Sequence, residues 1–191
     1  MNPVKLIVIG GSAGSLHVIL DLLSPLDPGF PIPILIVLHR TGSFESGMEE
    51  LLAARTRLKS KEVEEKELLM PGTVYICPSD YHVLIERDHS LSLDFSERVH
   101  FSRPSIDVTF RSAAEVYGEG LICLLLSGGN ADGTEGLDHA KELGATTIVQ
   151  DPVTAEVSYM PNYAIAHARV DLILRPEDMG AVFLSRLPGA G

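Results

Sequence analysis

Four short runs of apolar residues, bounded by glycine or polar residues, recur along the chain. They are VKLIVI at 4–9, PILIVL at 33–38, LICLLL at 121–126 and TTIV at 146–149. Apolar runs of about four to eight residues, rich in β-branched side chains, are typical of strands buried on both faces. Apolar residues at helical spacing lie between them, at 14–24, 44–55 and 105–117. This alternation predicts βαβ units and therefore a three-layer α/β/α fold with a mostly parallel, doubly wound sheet.

The stretch from 73 to 95 interrupts the alternation. It contains three short strand-like pieces separated by turn residues at 78–80 and 87–90, which predicts an antiparallel meander with a hairpin at one edge of the sheet. Alternation then resumes, with helices predicted near 134–143, near 161–167 and from about 176, and a strand at 170–174. The 191 residues, 45% of them hydrophobic, suffice for one full core, so we expect a single domain over 1–191.

Charge and cysteine content limit the partners and the compartment. The formal net charge of −11 does not suit nucleic acid, which needs basic patches that release counterions. No apolar stretch approaches the roughly 18 residues of a membrane span, and the apolar start is too short for a signal peptide, so we expect no membrane insertion. The two cysteines, Cys77 and Cys123, lie inside apolar runs, which favours buried thiols and a cytoplasmic protein.

Three polar residues follow three of the predicted strands. Ser12 follows the first strand, His39 follows the second, and Asp132 lies in the glycine-rich turn after LICLLL. The carboxyl ends of parallel strands meet at one edge of the sheet, where this class of fold binds its ligands. A serine hydroxyl becomes a nucleophile when an imidazole accepts its proton, and a carboxylate orients that imidazole. The set therefore predicts acyl-transfer chemistry, with Ser12, His39 and Asp132 as catalytic residues.

The turn around Ser12 supports this interpretation. Residues 10–14 match the G-x-S-x-G pattern, in which small neighbours expose a serine on a sharp strand-to-helix turn. The amide after the serine, Ala13 N–H, would face a developing oxyanion. The competing interpretation is a phosphate site, but Ser12 replaces the second glycine of G-x-G-x-x-G, and His39 stands in place of the ribose-binding acid. A nucleotide site at this position stays open on fold analogy alone.

Each of the three residues also has a structural interpretation. Ser12 alone suits a helix N-cap, His39 a structural histidine, and Asp132 a turn residue. Their joint placement at one sheet edge is what favours catalysis. The seven histidines do not cluster at metal-ligand spacing, so we expect neither a metal nor a cofactor.

Several motifs, in their order along the chain, resemble one known family. They are GGSAGS at 10–15, His39, MPGTVYICPSDYHVLI at 70–85, RPSIDVTFRSAAEVYG at 103–118 and LLSGGNADGTEGL at 125–137. Together they resemble the catalytic domain of the chemotaxis protein-glutamate methylesterase family, CheB. The resemblance implies the α/β/α fold and hydrolysis of γ-glutamyl methyl esters on the cytoplasmic helices of bacterial chemoreceptors, with glutamine deamidation as a further activity.

Carried over residue by residue, the resemblance implies the roles of the site residues. Ser12 becomes the nucleophile, His39 the general base and then acid, and Asp132 the carboxylate that orients the imidazole. His82 matches a histidine near the family's site and is interpreted as a substrate contact, with a structural turn histidine as the alternative. Met160 matches a Met-Pro pair in the loop that borders the same cleft and is interpreted as a substrate-binding residue.

Two positions depart from the usual family pattern. Ala13 stands where members commonly have threonine, and Gly129 stands where they have methionine, so Gly129 offers an oxyanion only its backbone N–H. These departures keep a second hypothesis open. In it the chain is a weakly active or inactive CheB-like module that binds a receptor or a methyltransferase.

The resemblance also raises the question of regulation and docking. Members commonly carry an N-terminal receiver domain, whereas this chain begins with the first catalytic strand, so we expect either constitutive activity or gating by a separate regulatory protein. The negative charge of the chain opposes docking on an acidic receptor helix. A locally basic rim would offset this repulsion, and its candidate members are Arg40, Arg98, Arg103 and Arg111.

Overall fold

The computed structural model describes residues 3–39 and 47–187, which contain nine strands and six α-helices. The strands are β1 (Leu6–Gly11), β2 (Ile34–Leu38), β3 (Lys59–Glu62), β4 (Thr73–Ile76), β5 (His82–Ile85), β6 (Leu91–Asp94), β7 (Leu121–Leu125), β8 (Thr146–Gln150) and β9 (Leu172–Leu174). The helices are α1 (Leu16–Leu23), α2 (Met48–Arg55), α3 (Ile106–Tyr117), α4 (Thr134–Glu142), α5 (Tyr159–His167) and α6 (Pro176–Ser185).

Seven of the strands form one parallel sheet in the order β3-β4-β2-β1-β7-β8-β9. The chain moves outward from β1 through β2 to the β3 edge, and then returns to place β7 on the other side of β1. From β7 it continues outward through β8 to β9. The strand order therefore reverses beside β1, and ligands of doubly wound sheets bind beyond the carboxyl ends of the strands at such a point.

Apolar side chains hold the sheet between two layers of helices. Along β1, Ile7 and Ile9 contribute to the core on one face, and Leu6 and Val8 contribute to the core on the other. Helices α1, α2 and α6 cover the first face, and α3, α4 and α5 cover the second. Because successive strand residues point to opposite faces, a strand covered on both sides must be apolar throughout, as β1 is before its two glycines.

The predicted three-layer α/β/α fold with a mostly parallel sheet is confirmed. The meander needs a correction: β5 and β6 form the expected antiparallel hairpin, but β4 pairs in parallel with β2 inside the main sheet. The hairpin packs on α3 and makes a separate two-stranded sheet. Local sequence identifies these strands but not their partners, since pairing with β2 depends on a long crossover. The edge strand β3, with the sequence KSKE, lacks the apolar pattern of a buried strand and was not predicted.

Some expectations fall partly outside the described residues. The predicted helix at 44–55 is observed as α2 from Met48, while residues 44–46 lie outside the described ranges, as does Arg40. Cys77 and Cys123 are buried, and neither forms a disulfide within the described residues. In the described part of the chain, none of the helices is both long enough and apolar enough to cross a membrane.

Candidate active site

Ser12 and His39 are the first residues beyond two paired strands. The register of β1 and β2 aligns Gly11 with Leu38, and the His39 N–H donates to the Gly11 carbonyl at 3.2 Å. This pairing brings Ser12 and His39 to neighbouring positions at the carboxyl edge of the sheet. Within the described residues no hydrogen bond joins the Ser12 hydroxyl to the His39 ring, and catalytic hydrogen bonds of this kind often tighten only when substrate binds.

The Asp132 carboxylate lies in the turn between β7 and α4 and is fully buried. Five donors surround it: His39 Nε2 (2.7 Å) and the Ile106 N–H (2.7 Å) at Oδ2, and the Ser105 hydroxyl (2.8 Å), the Asp107 N–H (3.0 Å) and the Gly133 N–H (3.0 Å) at Oδ1. Three of these donors come from the N-terminus of α3, whose free amides and dipole favour an anion. The sequence places the cap, Ser105, and the first turn of α3 where they receive this carboxylate.

These hydrogen bonds decide the ionisation of Asp132. Burial by itself raises the pKa of the carboxyl, but the hydrogen bond and charge of His39, together with the amides of Asp107 and Ile106, outweigh burial. The pKa of Asp132 therefore lies below its usual value, and the group is an anion at neutral pH. A buried carboxylate in this state can orient an imidazole and stabilise an imidazolium.

Asp107, at the same end of α3, shows the opposite shift. Burial, followed by the negative charge of Asp132, raises the pKa of Asp107 to about 6. Its Oδ1 accepts the Gly136 N–H at 2.6 Å, and its Oδ2 lies 3.2 Å from His100 Nε2. The pKa values of two adjacent carboxyl groups are thus shifted in opposite directions, because Asp132 has five hydrogen-bond donors and Asp107 has few.

His100, Asp107 and Asp132 are also the group of described residues whose ligand atoms come close enough for a metal ion, within 4.8 Å of one another. The group does not suit a cation, because the five donors already occupy both oxygens of Asp132. Two of these donors are the main-chain N–H groups of Ile106 and Asp107, which α3 holds in place, so they cannot move aside for a metal ion. We therefore assign no metal here, and the expected absence of a metal and of a cofactor stays a prediction.

Two hydrogen bonds from Ser15 fix the orientation of the peptide between Ser12 and Ala13. Its carbonyl accepts the Ser15 hydroxyl at 2.6 Å and the Ser15 N–H at 3.1 Å. In a trans peptide the N–H points opposite to the C=O, so the Ala13 N–H faces away from the helix that Ser15 begins. Ala13 is exposed, and its N–H donates no hydrogen bond within the described residues. It is available to a substrate oxygen.

The peptide between Gly128 and Gly129 is fixed in the same manner. The Gly128 carbonyl accepts the Met160 N–H at 2.9 Å, which turns the N–H of the exposed Gly129 in the opposite direction. No acceptor for the Gly129 N–H occurs in the described part of the chain. A Cβ on Gly128 would lie 2.5 Å from Met160 Cε and 3.0 Å from Ser12 Cβ, so a larger residue there would have to displace the Met160 side chain.

Met160 therefore has a different place from the one expected. Met160 is the second residue of α5, and its side chain is fully buried beneath Gly128 in the loop after β7. It supports the loop and leaves no surface for a substrate. Sequence comparison placed the residue near the cleft but could not show on which side of the loop its side chain lies.

His82 requires a similar correction. It is fully buried at the start of β5. Its Nδ1 accepts the Ser105 N–H at 3.0 Å, and its Nε2–H donates to the Glu97 carbonyl at 3.0 Å. Because both nitrogens have main-chain partners and the ring is inaccessible, the imidazole is not available to a substrate. It joins the hairpin to the loop before α3 and holds Ser105 in place beside Asp132.

Ser127 is a site residue that sequence analysis missed. Its carbonyl accepts the Ser12 N–H at 2.9 Å, its hydroxyl donates to the Ala13 carbonyl at 2.7 Å, and the same oxygen accepts the Val157 N–H at 2.9 Å. The residue is fully buried, and its hydrogen bonds connect its own loop to the loops that contain Ala13 and Val157. A single serine after a buried strand carries no distinctive pattern, and Ala13 is 114 residues away in the sequence, so no local signal identifies it.

Comparison with known proteins identifies similar chains. A sequence model described as CheB methylesterase matches residues 7–183. A Leptospira interrogans protein named "putative protein-glutamate methylesterase/protein-glutamine glutaminase" is 44% identical over 178 residues, which cover 93% of this chain and 92% of the relative. A Burkholderia pseudomallei protein named "protein-glutamate methylesterase/protein-glutamine glutaminase 1" is 36% identical over 98% of this chain and 52% of its own length. The crystal structure of the Thermotoga maritima CheB methylesterase catalytic domain superposes with a TM-score of 0.90 at 31% identity, covering 96% of this chain and 99% of that one.

Proposed function

Because the chain belongs to the CheB methylesterase family, we propose that it hydrolyses γ-glutamyl methyl esters on the cytoplasmic helices of chemoreceptors. The observation that carries the proposal is the pair of His39 and the buried Asp132, whose side chains approach to 2.7 Å, with His39 beside Ser12 at the ends of adjacent strands. In this proposal Ser12 is the nucleophile, His39 the general base and acid, and Asp132 the carboxylate that orients His39.

The tautomer of His39 follows from its partner. Asp132 is an anion and accepts from Nε2, so Nε2 carries the proton and Nδ1 carries the lone pair. Nδ1 has no hydrogen-bond partner among the described residues, and it is the nitrogen left to accept the Ser12 proton. The negative charge of Asp132 then stabilises the imidazolium that forms.

The reaction proceeds through an acyl-enzyme. Ser12 Oγ attacks the ester carbonyl carbon while His39 Nδ1 takes the hydroxyl proton, and the carbonyl oxygen becomes an oxyanion that accepts from the amides of Ala13 and Gly129. The bond to the methoxy group breaks, and methanol leaves with the proton from His39. Water, deprotonated by His39, then attacks the acyl carbon and releases the glutamate side chain and Ser12. Loss of one oxyanion donor typically lowers kcat by ~10²–10³.

A glutamine side chain can follow the same steps. Ammonia then leaves in place of methanol, and His39 protonates the leaving amine. The names of the relatives, which combine methylesterase with glutaminase, support this as a second activity of the same site.

The test measures methanol and ammonia released from chemoreceptor membranes that carry methylated and amidated sites. Ser12→Ala is expected to lower methanol release by at least ~10³-fold, because the remaining groups supply no nucleophile. Ser24→Ala is the matched control, since Ser24 is exposed at the far end of α1. Full turnover by Ser12→Ala would exclude Ser12 as the nucleophile. No release by the wild-type protein would exclude this substrate and favour the binding-module hypothesis.

A further inference from the structure

The loop between β6 and α3 displays a phenylalanine beside the proposed active site. Val99 and Ser102 form an antiparallel bridge with hydrogen bonds of 3.1 and 2.8 Å, which leaves His100 and Phe101 as a two-residue tip. The Phe101 side chain is 97% exposed, more than any other large apolar residue of the described chain. Residues 95–104 are called the 95–104 loop below.

The tip holds Phe101 outward at a cost in backbone energy. His100 has φ of 49° and Phe101 has φ of 63°, in the left-handed region that a Cβ disfavours. Turns of this shape usually use asparagine and glycine. The exposed phenyl ring gains nothing from burial against residues 3–39 and 47–187, so this part of the chain does not compensate for the backbone strain. Strain of this kind, next to a site, points to a contact made outside the chain.

The base of the loop is rigid. The Arg103 guanidinium stacks on the Phe95 ring at 3.8 Å and donates to the carbonyls of Phe95 and Ser96 at 3.1 and 2.6 Å. His82 binds the Glu97 carbonyl from inside the protein. The tip is therefore presented on a fixed support, which lowers the entropic cost of using it as a contact.

The tip lies next to the proposed catalytic carboxylate. His100 Nε2 is 3.2 Å from Asp107 Oδ2, and ligand atoms of His100, Asp107 and Asp132 lie within 4.8 Å of one another. Phe101 follows His100 directly. Asp132 also binds His39, so the tip lies close enough to the proposed catalytic residues for a bound protein segment to contact it.

We propose that the 95–104 loop is the docking surface for the protein segment that carries the reacting glutamyl side chain, with Phe101 as its apolar anchor. This inference rests on the proposed function. The segment it fits has an exposed apolar side chain beside the ester and carboxylates nearby. Arg98, on the same loop, is 58% exposed and bonds Asp80 at 3.0 Å through one of its five donors. The donors of Arg98 that do not face Asp80 are available to a carboxylate of the segment.

The experiment compares a protein substrate with a small one. The kcat/KM values of the wild type, Phe101→Ala and Phe101→Trp are measured on methylated chemoreceptor membranes and on the γ-methyl ester of N-acetylglutamate, which carries no protein segment to dock on the loop. Anchoring residues at interfaces typically contribute enough that Phe101→Ala should lower the receptor-to-small-ester ratio by about 10- to 100-fold. Phe101→Trp should restore most of the ratio. Leu184→Ala, an exposed apolar residue on α6 in the opposite helical layer, should leave the ratio unchanged.

The outcomes separate docking from catalysis. An unchanged ratio in Phe101→Ala, with both substrates cleaved, would overturn docking through Phe101 and leave the esterase intact. Equal losses on both substrates would also overturn it, since they would indicate a structural role for the residue. If the wild-type protein cleaves neither substrate, the proposed function fails, and the docking proposal fails with it.

Discussion

The two halves of the candidate site are built in opposite ways. Around Asp132, five donors converge on one fully buried carboxylate. Around Ser12, the amides of Ala13 and Gly129 are held through their carbonyl sides, while their N–H groups meet no acceptor among the described residues. The first half holds a permanent charge with permanent partners. The second keeps its donors free for a charge that exists only during a reaction.

The physical reason lies in when each charge is present. A buried carboxylate without partners costs several kcal/mol in the folded protein, so the Asp132 half must be satisfied before any substrate arrives. Donors to an oxyanion accelerate a reaction only when they bind the transition state more strongly than the ground state. Leaving them open costs little here, because Ala13 and Gly129 are exposed to water.

Asp132→Asn, which changes the half of the site that holds the permanent charge, is expected to lower turnover more than the other variants below. An asparagine nitrogen cannot accept a hydrogen bond, so it would face either the His39 N–H or the amides of α3 as a second donor. In the proposed mechanism His39 then loses its tautomer and the stabilisation of its charge, and kcat for methanol release should fall by ~10³–10⁴. Steady-state kinetics measure the fall in kcat, and a thermal melt measures the loss of stability caused by the two facing donors.

The matched control for that change is Asp138→Asn. Asp138 is a carboxylate on α4 that pairs with Arg169 away from the site, so its replacement should leave kcat near the wild-type value. A kcat for Asp132→Asn within tenfold of the wild type would contradict the proposed role of the carboxylate.

Ser127→Ala tests the half of the site around Ser12, where the oxyanion donors are free. It removes the donor to the Ala13 carbonyl and the acceptor of the Val157 N–H, both buried, without touching a reacting atom. We expect kcat to fall by about tenfold with KM nearly unchanged, because misaligned oxyanion donors affect mainly the transition state. The unfolding free energy should fall by ~1–3 kcal/mol, since buried polar groups lose their partners.

Ser185→Ala provides the comparison for that variant, since among the described residues the Ser185 hydroxyl bonds only the Val182 carbonyl, at the exposed end of α6. It should change neither kcat nor stability noticeably. A rise in KM for Ser127→Ala at constant kcat would show that the hydroxyl shapes ground-state binding and not the oxyanion donors.

Asp107→Asn has the smallest expected effect on turnover and concerns stability. The pKa of Asp107 is raised from 3.8 to about 6 in the folded protein. As pH rises through this window, the unfolded chain has lost its proton while the folded protein still holds it, so stability falls, and the loss is complete above about pH 6. Asparagine mimics the protonated acid and keeps an oxygen for the Gly136 N–H. The variant should gain up to about 3 kcal/mol over the wild type at pH 7 and nothing at pH 3.

Urea unfolding of Asp107→Asn and the wild type across this pH range measures the difference. A gain that does not depend on pH would show that burial and the charge of Asp132 do not set the ionisation of Asp107. It would also remove the contrast between the two carboxyl groups at the start of α3.

The sequence by itself determined the layer architecture and the positions of Ser12, His39 and Asp132 at three strand ends. These features are local, because an apolar run encodes a doubly covered strand and the polar residue that follows it lies at the sheet edge. Their catalytic roles stay predictions. The sequence also indicated the neighbourhood of His82 and Met160, but it assigned Met160 to substrate binding and left His82 between a substrate contact and a structural histidine.

Only the tertiary structure decided which way those side chains face and what completes the site. His82 and Met160 are turned inward by partners at Ser105 and Gly128, and Ser127 joins loops more than a hundred residues apart. The five-donor environment of Asp132 needs the start of α3 to meet the turn after β7. A hydrogen bond between distant segments depends on how the helices pack on the sheet, and no local pattern of residues records that geometry.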